Sequence, residues 1–70
     1  METIRLFDTA QQAREYRHEH GTGGWIFEPI DVNEPQYQWH QAVLFPPHMT
    51  PSQIFNHPIS KGRTGKLISN

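Results

Sequence analysis

Residues 60–69 read SKGRTGKLIS and place two glycines, two lysines, an arginine and a threonine within one decapeptide. That composition suits a loop gripping phosphate through backbone amides and a lysine. The phosphate loop of nucleotide-binding proteins follows the pattern G-x-x-x-x-G-K-[ST], between a strand and a helix. Here only Arg63 and Thr64 separate Gly62 from Gly65, Leu67 stands where the hydroxyl residue belongs, and the residues from Lys66 onward read as strand. The stretch is therefore a basic turn entering a last strand. Lys61, Arg63 and Lys66 stand as candidate partner-binding cations, because contact with a phosphate backbone or an acidic surface needs little more than charge.

The other glycine cluster, GTGG at 21–24, follows a helical stretch. Dinucleotide sites place their glycines after a strand and ahead of a helix, so that amides and helix dipole face the anion. The reversed order reads as a helix end and a close turn. Five histidines raise the question of a metal. His18 and His20 lie two residues apart near a helix end, about 200° round the helix, and do not chelate together. No spacing selects His40, His48 or His57. The chain has no cysteine, no GxSxG elbow and no Ser-His-acid set of meaningful spacing, and its acids look solvated. No catalytic, cofactor or metal site is expected, so the chain is read as non-enzymatic. So short a chain is also expected to offer little concavity for a ligand pocket.

Aromatic residues carry a further signal. Trp25, Phe27, Tyr37, Trp39 and Phe45 fall on neighbouring strand-like segments, where most should be core. Tyr37 and Trp39 are the candidates for exposure. They would serve as anchors of a protein interface, where Trp, Tyr and Arg carry most of the binding energy, or as a base-stacking platform. The RNA-recognition signature is absent and the net charge is −1, which favours a protein partner over nucleic acid.

The elements that position these residues follow from pattern and punctuation. Residues 3–7 read as a first strand. Asp8 with Gln11 forms a capping-box pattern, and no breaker interrupts TAQQAREYRHEH before Gly21, so a helix should follow with Ala10, Ala13 and Tyr16 or Arg17 as its buried stripe. Residues 25–28 form a short aromatic strand ended by Pro29, and residues 37–45 form another, with Val43 and Phe45 on one face and Ala42 and Leu44 on the other. The two should pair as an antiparallel hairpin. Thr50-Pro51-Ser52-Gln53 is a strong helix start, and Pro58 keeps that helix short, with Ile54 and Phe55 as anchors. The expected fold class is α+β: a small antiparallel sheet of three to four strands packed against one main helix, with a second short helix.

Seventy residues, 34% hydrophobic and 19% charged, suit a single small domain spanning 1–70. With zero cysteines, core packing or a partner subunit must supply its stability. The open edges of so small a sheet can pair with a second copy, which keeps a homodimer among the expected states. Residues 1–34 carry all seven acids and three arginines, a net of −4, whereas residues 35–70 carry three cations and no acid, a net of +3. Such asymmetry steers charged partners. No apolar run approaches membrane-spanning length, and METIRLFDTA has no leader pattern, so no membrane role and a cytoplasmic location are expected.

The segments GGWIFEP, AVLFPPHMTPSQIFNHPIS and GRTGKLI resemble recurring pieces of short, uncharacterised proteins encoded by bacteriophages and prophages. The resemblance runs across most of the chain and implies expression inside a bacterial cell in an accessory role. It brings no catalytic or binding residue with it. The expected function is thus a non-enzymatic protein-binding module, a phage or prophage accessory that docks on and modulates a host or phage protein. The alternative is a small nucleic-acid-binding accessory that uses the basic turn and the sheet aromatics.

Overall fold

A computed structural model describes residues 4–31, 33–36 and 41–69. Along the chain run β1 (Arg5–Phe7), α1 (Ala10–His20), β2 (Ile26–Pro29), β3 (Ala42–Leu44), α2 (Pro51–Asn56) and β4 (Gly65–Ile68). The strands form one antiparallel sheet in the order β1-β3-β2-β4, so the expected α+β architecture and the β2–β3 pairing are both observed. No helix of the described residues is long and apolar enough to cross a membrane.

Alternation along the strands sorts the core into two halves. Ile26, Ala42 and Leu44 lie against α1, where Ala13 is buried and Ala10, Tyr16, Phe7 and Ile68 pack around them. Phe27, Val43 and Phe45 occupy the opposite face with Ile54 of α2, flanked by Trp25, Met49, Ile59 and Leu67. Leu6, Val43, Phe27 and Leu67 are successive cross-strand partners and make one apolar row across this face. The strand β3 is consequently buried on both sides. Helix α1 thus packs on one face and the α2 segment on the other, while Leu6 at the β1 edge of that second face is 49% exposed.

Helix ends follow local chemistry. Thr50 Oγ1 accepts from the Gln53 amide while the Gln53 side chain accepts from the Thr50 amide, so α2 begins with the expected capping box and Pro51. In α1 the cap lies one residue later than expected: Thr9 Oγ1 accepts from the Gln12 amide, and Gln12 Oε1 accepts from the Asp8 amide. Gly21 ends α1 in the left-handed region at φ 61°, its amide donating to the Arg17 carbonyl. Ile54 is fully buried, whereas Phe55, the other expected anchor of α2, is 44% exposed and only edges onto Phe27, 6.3 Å between ring centres.

Candidate functional site

The turn that precedes β4 is held from inside. Arg63 reaches under it to Asp31 and donates from Nε to Oδ2 at 3.1 Å and from Nη2 to Oδ1 at 2.8 Å, while the Thr64 amide donates to Oδ2 at 3.2 Å. The two side chains are 3% and 4% exposed. Hydrogen bonds from Arg63 hold the Asp31 carboxyl below the usual carboxylate range; burial opposes this, and the Thr64 amide and the Arg63 charge add to it. A two-pronged arginine–carboxylate bond of this kind fixes orientation as well as distance. Asp31 was expected among solvated acids and Arg63 among partner-binding cations. Both are internal, and each serves to fasten the other.

Two glycines of this segment have structural reasons that do not involve phosphate. Gly62 adopts φ 79°, which side-chain-bearing residues rarely take. At Gly65 a Cβ would fall 2.5 Å from Cζ of Phe27 and 2.8 Å from the Glu28 carbonyl oxygen. The core ring therefore fills the space that a phosphate would need against this glycine. Lys66 lies across the β2–β4 ladder from Glu28, with Nζ 3.3 Å from Oε1 and a side chain 65% exposed. Lys61 is exposed. The separate acidic and basic halves of the sequence are therefore interleaved by folding, through Asp31–Arg63 and Glu28–Lys66. Tyr37 and Trp39, the expected aromatic contacts, lie outside the described residues.

Beside the turn stands an exposed apolar residue. Ile30 follows β2 directly, its amide donates to the Thr64 carbonyl at 2.9 Å, and 62% of it is exposed. Ile30 and Lys66 thus lie at the turn end of the β2–β4 pair, with Lys61 in the segment that leads into the turn.

The opposite end of β2 and β4 is fastened by a second arginine. Arg17 of α1 donates from Nη1 to the carbonyls of Gly24 at 2.9 Å and Ile68 at 3.3 Å, and from Nη2 to that of Ser69 at 3.1 Å. Burial, and secondarily the charge of Arg14, lowers its pKa from the usual arginine value. Here a groove of about 560 Å³ opens between Arg14, Arg17, His18, Gly21 and Gly23. It is a shallow groove, wide open to solvent, and not an enclosed pocket.

Two of the histidines take part in local packing. His57 Nδ1 accepts from the Ile59 amide at 3.1 Å while its ring meets Phe45 edge-on at 5.7 Å. His20 stacks on Tyr16 at 4.1 Å, and Arg5 lies over that ring at 4.9 Å. Among the described residues no group of three His, Cys, Asp or Glu side chains is placed to hold a metal ion. Comparison of the chain with protein-family models, curated proteins and solved structures finds no match.

Proposed function

We propose that the chain is a non-enzymatic protein-binding module that docks on another protein through the turn end of its sheet, with Ile30 as the apolar contact and Lys61 and Lys66 as the charged rim. The observation that supports this reading is the 62% exposure of Ile30 on backbone that the Asp31–Arg63 pair holds rigid. An apolar side chain on a fixed loop binds without the entropy cost of ordering that loop, and flanking lysines favour an acidic partner surface. The phage resemblance makes a host or phage protein the natural partner, with modulation of that partner as the consequence. The polar groups best suited to chemistry are engaged in holding the chain: Ser60 donates its hydroxyl to the Ile54 carbonyl, and Asp31, Arg63 and His57 serve the turns around it. That is why we read the module as a binder and not as a catalyst.

The turn also carried the nucleic-acid reading, which loses its middle cation because the Arg63 charge is neutralised by Asp31. The test is affinity purification from bacterial lysate, with and without nuclease treatment, with the wild-type chain, Ile30→Asp and the double variant Lys61→Glu/Lys66→Glu on parallel resins. A protein retained by wild type and lost with Ile30→Asp is the expected result. Equal retention by all three, or retention that disappears on nuclease treatment of the wild-type sample, would remove the reading.

A further inference from the structure

Arg14, Arg17, His18 and Gly21 follow the i, i+3, i+4, i+7 spacing of one helical stripe, and this stripe forms the α1 wall of the groove at the Gly24 end of β2. None of the described residues that line it is acidic. The acids of α1, Glu15 and Glu19, lie about 100° and 140° round the helix from Arg14 and about 160° from Arg17, away from the two arginines, although Glu15 stands only about 60° from His18. The Arg17 guanidinium has its geometry fixed by the three carbonyls of Gly24, Ile68 and Ser69, but carbonyl dipoles orient a cation without cancelling its charge. Arg14 sits exposed one turn away and repels it. Gly21 at the end of the stripe and Gly23 beyond it, both in positive-φ conformations, line the groove with bare backbone, and at Gly21 even an added Cβ would meet nothing within 4 Å. The C-terminal end of a helix contributes roughly half a negative charge. Two guanidiniums outweigh it.

We propose that this groove binds a phosphate group, held between the Arg14 and Arg17 guanidiniums with His18 at its edge. Arginine forks match the geometry of phosphate oxygens, and an anion placed between the two relieves their mutual repulsion. The site is separate from the turn end used for docking. Its ligand is either a small phosphorylated molecule or one phosphate of a nucleic-acid strand, and both offer the same oxygens.

The test is an amide NMR titration of the full chain with inorganic pyrophosphate and, separately, with a decamer of deoxythymidine. Saturable shifts centred on residues 14–23 are expected with pyrophosphate, and Arg14→Gln should raise the dissociation constant about tenfold or more, the scale of one lost charge-assisted hydrogen bond. Arg14 is exposed, so this variant should keep its circular dichroism spectrum and its melting temperature. If the decamer shifts the same amides with an affinity that falls steeply as salt rises, the phosphate comes from a strand. If it leaves them in place while pyrophosphate binds, the ligand is a small molecule. Shifts that never saturate, that scatter over the surface, or that Arg14→Gln does not weaken would overturn the site.

Discussion

The two ends of the β2–β4 ladder solve the same problem in different ways. At each end an arginine gathers loop backbone and ties it to the sheet. Arg63 does so against a carboxylate, with both side chains almost wholly out of water. Arg17 does so against three carbonyl oxygens, with its charge left standing beside that of Arg14. The first arrangement cancels the arginine's own charge and leaves Ile30 exposed beside it. The second leaves a positively charged groove. An arginine's neighbours, more than its position in a basic-looking segment, thus decide whether its charge is available to a ligand.

The comparison breaks most easily at Asp31. Asp31→Asn leaves the Arg63 charge buried without its counter-charge, a loss of about 3–5 kcal/mol. A chain of this size has a total stability of about the same magnitude, so the variant should be largely unfolded at 25 °C by circular dichroism. A folded variant with wild-type melting would show that the pair is dispensable.

Acid should act on the same end. The folded-state pKa of Asp31 lies below its unfolded value, so its contribution is complete above about pH 4, the ordinary aspartate range, and is lost as pH falls through the lowered folded pKa. Urea midpoints measured from pH 7 down to pH 2 should hold before falling over that acid window. A midpoint that rises with acid would contradict the sign. The Arg17 end should be indifferent to this range, because carbonyls do not titrate there.

Arg17→Gln should cost less, about 1.5–3 kcal/mol, since it removes hydrogen bonds from a charged donor to oxygens that water can partly reach. The chain should remain folded with a melting temperature lowered by several degrees, and Arg17→Lys should recover only part of it, because one ammonium does not span three carbonyls. A loss equal to that of Asp31→Asn would erase the distinction between the ends. Smallest of all is Lys66→Ala, worth about 0–1 kcal/mol because the pair with Glu28 is exposed to solvent. Thermal melts of the three variants side by side give the ranking.

What the sequence announces is local. Thr50, Pro51 and Gln53 lie within four residues and specify the start of α2 by themselves. Gly21 ends α1 for the same kind of reason. The start of α1 is ambiguous because two capping residues, Asp8 and Thr9, precede two glutamines, Gln11 and Gln12, and either register satisfies the pattern; the hydrogen bonds select Thr9 with Gln12. The alternation of residues 42–45 correctly divides Val43 and Phe45 from Ala42 and Leu44.

What stays hidden is long-range. Asp31 and Arg63 are 32 residues apart, and nothing near either marks the other. A cation between two glycines reads as solvated by default, so Arg63 passes for a surface residue. The Arg17 bonds to Ile68 and Ser69 span 51 and 52 residues and are equally silent. The groove had a signal within reach, since Arg14, Arg17, His18 and Gly21 share a helical stripe.

The most direct test of this division is hydrogen exchange at the arginine Nε–H groups, followed by side-chain NMR at neutral pH. The Nε–H of Arg63, bonded to Asp31 Oδ2 and shielded from solvent, should exchange far more slowly than that of exposed Arg14. Equal rates at the two sites would mean that Arg63 is open to water after all, and the buried anchor of the turn would have to be abandoned.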